Sequence, residues 1–253
     1  MPKEKKKKES QELGKIEKPE AEKFQKGRKL IFVPLLFAPY DSESELQQLH
    51  DKYWQQVKEQ IENLESKLMN VTRIYHEFIC VDGEEGVKEI EHMNAGSYDI
   101  VKNLVKKGSA LMAAESVEML TEFMDWNRCL SARLTNQKVI TKIYELYSEA
   151  QKNREEWIGK AIDLTLGEDE FGLLIMKDSH KLQFPQNVEV FYVAPPSLDE
   201  IKRFVRDMKS APPQADKKEE KPAAKKPAAK KPAAKKPATK KPAAKKTTEK
   251  KEK

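Results

Sequence analysis

Residues 154–193, REEWIGKAIDLTLGEDEFGLLIMKDSHKLQFPQNVEVFYV, decide the fold. The stretch reads as a helix (Arg154–Leu166), an acidic turn (Gly167–Glu170), a strand (Gly172–Lys177), a loop carrying His180, and a second strand (Val188–Val193). An apolar run that ends in a polar, ionisable loop is how an open α/β sheet presents its chemistry, at the carboxyl ends of its strands.

Upstream, two helices are predicted over Ser116–Arg133 and Asn136–Leu166, with a break near Leu134–Asn136. Ala110–Ala114 is short and apolar and predicts a strand; Tyr98–Lys107, closed by Gly108, and Val87–Met93 predict helices. Val71–Val81 is β-branched and aromatic, the composition of a strand. Ahead of it, Leu46, Leu49, Tyr53, Val57, Ile61, Leu64 and Leu68 recur at three- and four-residue steps behind the capping-box pattern Ser42-Glu-Ser-Glu45. That helix is roughly 39 Å long at 1.5 Å per residue, so one end is expected to project or to pair with another helix. Leu30–Ala38 is apolar without alternation and predicts a strand covered on both faces, with Pro34 implying a bulge or interruption. Downstream, Pro195-Pro196 and Ser197 introduce a last helix, Ser197–Lys209. This alternation of strands and helices predicts an α/β fold with a mostly parallel sheet, the long helices forming an inserted layer.

The whole-chain charge of +6 conceals a segregation. Residues 211–253 hold 16 Lys against 5 acidic residues; residues 1–28 hold 10 basic against 6 acidic residues. The remainder, 29–210, carries a net −9. Three regions follow: a charged leader (1–28) and a basic tail (211–253), both expected to be disordered, around an acidic α/β domain (29–210). The tail repeats Lys-Pro-Ala-Ala-Lys at a five-residue period. Pro222, Pro227, Pro232, Pro237 and Pro242 each remove a donor and disfavour helix before them, so an extended polyproline-like rod is expected.

Two cysteines without C-x-x-C spacing suggest no disulfide framework, which fits a reduced cytoplasmic compartment. Leu30–Ala38 reads as a buried strand and not as a signal peptide, and no run approaches the ~18 apolar residues of a spanning helix, so no membrane partner is expected.

The repeat lysines, Lys221, Lys225, Lys226, Lys230, Lys231, Lys235, Lys236, Lys240, Lys241, Lys245 and Lys246, are candidate contacts to DNA or RNA phosphates. Lysine is a mobile point charge suited to phosphate without base readout, and the absence of interleaved aromatics disfavours stacking on single strands. The bland alternative is a solubilising extension. In the acidic domain, His76, Glu77, Glu115, Glu122, Arg154 and His180 are the chemically useful residues. His180, at a strand end, suits a general base or a metal ligand, or is a solvated loop residue; Arg154 suits an anion clamp or a structural ion pair. His50 and His92 fall among charged helical residues and are expected at the surface, and the stripe Phe123, Trp126, Leu130 is expected in the core. No glycine-rich phosphate loop, nucleophile elbow or H-E-x-x-H is present, and the sequence assigns neither a metal nor a cofactor.

The segments RIYHE (73–77), GSYDIV (96–101), KGSALMAAE (107–115), REEWIGKAI (154–162) and GLLIMKDSH (172–180) resemble an uncharacterised family of prokaryotic α/β proteins. That family is similar in turn to the ChaN/TraB/erythromycin-esterase-like group, in which His, Glu and Arg line a strand-end pocket. The resemblance spans about residues 30–208 and implies a pocket lined by Glu77, Arg154 and His180, with Glu115 beside them. Lys177 stands where the pattern has Gly, Glu155 stands where it has Asp, and the first strand ends in Phe37-Ala38 without a histidine. The tail resembles the Lys-Pro-Ala-rich tails of bacterial linker-histone-like proteins. Two functions compete: a non-catalytic nucleic-acid-associating protein whose tail tethers the acidic domain, with a possible protein partner for that domain, and a diverged hydrolase-like enzyme acting through Glu77, Arg154 and His180.

Overall fold

A computed structural model of the chain describes residues 26–37 and 45–210, which belong to one compact unit. In chain order the elements are β1 (Arg28–Pro34), α1 (Glu45–Lys67), β2 (Arg73–His76), α2 (Gly83–Met93), α3 (Ala95–Lys106), β3 (Ala110–Met112), α4 (Val117–Ser131), α5 (Gln137–Thr165), β4 (Phe171–Met176), β5 (Val188–Tyr192) and α6 (Pro196–Ser210). The strands form one parallel sheet in the order β3-β2-β4-β1-β5. The expected α/β fold is what the chain adopts. Most of the leader, the Ser42–Ser44 part of the capping box and the whole Lys-Pro-Ala tail lie outside the described residues. Arg28, counted above with the leader, instead opens β1 and is buried, its Nη1 donating to Asp163 and Asn187.

Alternation along the central strands sorts side chains onto two faces. Ile31, Val33, Leu173 and Ile175 pack with Tyr53, Val57 and Ile61 of α1, Ile90 of α2, Ile100 and Leu104 of α3, and Ile201 of α6. Leu30, Phe32, Leu174 and Met176 pack with Ile158, Ile162 and Leu166 of α5. Chain direction explains the split. The steps β1 to β2 and β2 to β3 run one way across the sheet, and the return from β3 to β4 runs the other way. Right-handed crossovers then put α1–α3 on one face and α5 on the opposite face. The segments leaving the neighbours β2 and β3 therefore part to opposite faces, which opens a crevice at their carboxyl ends.

Three helices begin at polar caps that accept backbone N–H bonds: Asn94 for α3, Ser116 for α4 and Asn136 for α5. The opening helix of the deciding stretch is the second half of α5, whose 29 residues span about 44 Å. Its first half reaches past the sheet and pairs with α4.

Two expectations need correction. The strand expected over Val71–Val81 keeps regular geometry only for Arg73–His76. At Phe78 the backbone turns to φ 71°, and the Phe78 N–H leaves the ladder to donate to the Glu115 carboxylate. Pro34 neither bulges nor interrupts β1, which pairs with β4 through Pro34↔Met176. The N–H groups of Lys29 and Leu35 donate toward β4, to Glu170 O and Met176 O. By alternation, the N–H that Pro34 lacks would point toward β5, beyond its pairing with Tyr192. The Pro34 carbonyl on that side accepts instead from the Tyr53 hydroxyl at 2.5 Å. Tyr53→Phe leaves this buried acceptor unpaired and is expected to lower stability by about 1–2 kcal/mol in urea unfolding; an unchanged midpoint would show that water replaces the hydroxyl.

Candidate functional site

Glu77 follows the last residue of β2, Glu115 lies three residues beyond β3, and Arg154 projects from the middle of α5. All three are buried, at 3%, 4% and 3% exposure. Arg154 meets Glu115 side-on: Nε donates to Glu115 Oε2 at 2.7 Å and Nη2 donates to Glu115 Oε1. Nη2 also donates to Glu77 Oε1 at 3.0 Å. Main-chain donors complete both carboxylates: Phe78 N to Glu115 Oε1 at 2.9 Å and Lys177 N to Glu77 Oε2 at 2.8 Å. Every carboxylate oxygen of the pair thus accepts at least one hydrogen bond. The guanidinium also packs against two aromatic faces, its Cζ 4.8 Å from the Phe123 centroid and 5.2 Å from that of Phe78. Burial works against the Arg154 charge, yet the bonds and charges of Glu115 and Glu77 outweigh it and hold its pKa above the ordinary value.

Glu77 and Arg154 of this cluster line a pocket of about 560 Å³ at the carboxyl edge of the sheet. Phe37, Phe78, Leu120, Phe123, Met124 and Tyr147 supply its apolar walls, and Lys177 and His180 also line it. The Lys177 ammonium lies 4.7 Å from the Phe78 ring centroid. His180 shares the pocket but has no direct bond to Glu77 or Arg154 among those described. Its Nδ1 accepts from Leu182 N at 3.1 Å, and its ring lies 4.8 Å from the Phe32 centroid. A neutral His180 therefore carries its proton on Nε2. Glu155, on the helix beside Arg154, is also buried; its Oε1 accepts from Gln151 Nε2 and from Lys181 N, tying the His180 loop to α5.

Of the residues singled out from sequence, Glu77, Glu115 and Arg154 meet in one cluster, and His180 joins them at the pocket wall. Glu122 stands apart, exposed and accepting from Trp126 Nε1. Phe123, expected in the core, is the aromatic face against the guanidinium. His50, expected at the surface, is 5% exposed, its Nδ1 without a hydrogen-bond partner among the described residues, and burial lowers its pKa against the opposing effect of Asp51. Phe78 and Glu155 complete the site: nothing in the sequence singles out Phe78, whereas Glu155 stands next to Arg154 where the resembled pattern has Asp. Among the described residues no group of three or more His, Cys, Asp or Glu is placed to hold a metal ion. The repeat lysines lie outside the described residues.

His76, last in β2, is fully buried: Nδ1 donates to Glu77 O at 2.7 Å and Nε2 meets Ser97 Oγ at 3.0 Å. Burial, only partly offset by the bond to the Glu77 carbonyl, pushes its pKa down to about 4. The unfolded chain binds this proton near pH 6.5 and the folded chain does not, so stability rises with pH between about 4 and 6.5. The contribution, on the order of 3 kcal/mol, is complete above pH 6.5 and lost on acidification toward pH 4. Unfolding measured across this window should show about one proton of linkage, absent in His76→Gln; equal slopes for the two proteins would contradict it.

Comparison with family models, with curated proteins and with solved structures finds no significant match. The geometry stands on its own physical terms. Removing one partner from a buried ion pair is strongly destabilising because the other charge stays buried and uncompensated. Glu115→Gln is therefore expected to lower stability by about 3 kcal/mol in urea unfolding, and the exposed control Glu122→Gln by less than about 0.5 kcal/mol. Equal, small effects would mean that the cluster is hydrated and not closed.

Proposed function

We propose that this chain is a non-catalytic nucleic-acid-associating protein of the cytoplasm, in which the Lys-Pro-Ala tail contacts phosphates without reading sequence and tethers the acidic α/β domain. Charge segregation carries this reading: 16 Lys against 5 acidic residues in 211–253, against a net −9 over 29–210. An acidic domain repels a polyanion, so association falls to the tail, and the domain is left to meet a protein partner. The chemistry of the strand-end pocket fits the absence of catalysis. Each oxygen of Glu77 and Glu115 accepts a hydrogen bond, and His180 Nδ1 accepts a backbone N–H, so these groups are engaged within the protein. No helix among the described residues is long and apolar enough to cross a membrane, in keeping with a partner in solution.

A second reading, a diverged hydrolase-like enzyme, draws on one observation: Glu77, Arg154 and His180 line the same pocket. It requires the Arg154 cluster to open when substrate binds.

The test is a salt titration of duplex DNA binding by the full chain and by a variant with Lys221, Lys225, Lys226, Lys230, Lys231, Lys235, Lys236, Lys240, Lys241, Lys245 and Lys246 replaced by Gln. The full chain is expected to lose affinity with salt at a log–log slope of about −0.9 per neutralised phosphate, and the variant to give a nearly flat line. Matching slopes would reject the tail as the anchor and leave the pocket as the place to look for function. Repeating the titration with RNA separates the two nucleic acids.

A further inference from the structure

Occupied carboxylates leave this pocket unusual in what it presents to a ligand. Arg154 is 3% exposed, and its Nε and Nη2 are engaged by Glu115 and Glu77. Nη1 has no partner among the described residues, yet it is not one of the sealed, unpaired atoms, and so it opens into the pocket that Arg154 lines. A buried guanidinium N–H aimed into a cavity is a donor waiting for an acceptor. At the rim stands the exposed Lys177, its ammonium against the same Phe78 ring as Arg154. His180, whose Nδ1 accepts from Leu182 N, adds an N–H at Nε2. Of the charged groups here, Arg154 is paired with Glu77 and Glu115, Lys177 makes no ion pair among the described residues, and Glu155 keeps Oε2 without a hydrogen bond among those residues. Around them Phe78, Leu120, Phe123, Met124 and Tyr147 form an apolar wall. A volume of about 560 Å³ lies within the ~300–1,000 Å³ range of pockets that take compact organic molecules.

We propose that the strand-end pocket binds a small amphiphilic carboxylate, an organic acid whose anionic end is held by Arg154 Nη1 and Lys177 Nζ and whose apolar body lies against Phe123 and Met124. A carboxylate matches the planar N–H geometry of guanidinium and gains strength where water is excluded. The hydrophobic body provides most of the burial, and the head group takes its bonds from the unpartnered Arg154 Nη1 and from Lys177 Nζ. Glu155, whose Oε1 is held by Gln151 and Lys181, lines the same cavity and opposes any negative charge placed near it, a cost that counts twice for a dicarboxylate and once for a monocarboxylate. This site is independent of the tail and of any nucleic acid.

Calorimetric titration of the full chain with octanoate, octanol and octylammonium, three ligands with the same body and different heads, tests the assignment. Octanoate should saturate at one equivalent, with octanol and octylammonium at least tenfold weaker. Two rim variants, Lys177→Glu and Met124→Trp, should each weaken octanoate tenfold or more, the first by reversing the selecting charge and the second by filling the cavity. Circular dichroism confirms that each variant is folded, and the ligand series on the unaltered chain keeps the test decisive if one is not. Absence of saturable octanoate binding, equal or tighter binding of octanol or octylammonium, or unchanged octanoate affinity in both folded variants would overturn the proposal. The last outcome is what adventitious binding to the lysine tail produces.

Discussion

A guanidinium taken out of water has to be neutralised where it lies, and the centre of this structure is organised around that requirement. Desolvating a lone charge costs several kcal/mol even after the surroundings relax. Arg154 avoids it by meeting two carboxylates that come from the ends of β2 and β3. One side chain on α5 therefore fixes three segments separated by 39 and 77 residues. The arrangement also accounts for the backbone at Phe78. Its positive φ accompanies an N–H donated to Glu115 and a ring lying against the same guanidinium that Glu115 holds. A non-glycine residue is uncommon in that conformation, and here a charge-assisted hydrogen bond and a cation–π contact offset it.

Much of the architecture could be read from apolar periodicity, because central strands buried on both faces and a striped helix such as α1 leave local patterns. Pro34 departs from the bulge its sequence predicts for a reason of position. A proline disrupts a ladder only where its partner strand needs a donor, and β5 stops pairing before Pro34 is reached. β2 is shorter than its sequence predicts because VTRIYHEFICV has strand composition throughout, while the Phe78 N–H at the turn is held by Glu115, 37 residues away. For the site, residue type was a fair guide to Glu77 and Arg154, but their pairing depends on β2 and β3 being neighbours, which no local pattern encodes. His180 shows the converse: a chemically suggestive residue in the expected place, with one ring nitrogen engaged by the backbone.

The two faces of the sheet are covered unequally, and this gives the pocket its access. Four helices, α1, α2, α3 and α6, pack one face; the other relies on the second half of α5. The first half of α5 continues past the sheet to pair with α4, so residues of both helices overhang the carboxyl edge and become walls of the cavity. The same long helix thus provides core contacts at one end, a wall at the other and the central cation between them.

The hold on Glu77 by residue 177 has a consequence for how such a site diversifies. The bond is made by the main-chain N–H, so any residue except proline can make it. The side chain at this position is thereby uncoupled from the integrity of the cluster beneath it. Exchanging lysine for a neutral or acidic residue would reset the electrostatic character of the entrance and leave the Glu–Arg–Glu foundation unchanged. Position 177 is a free variable at the mouth of a fixed frame, where ligand preference can drift without loss of the fold.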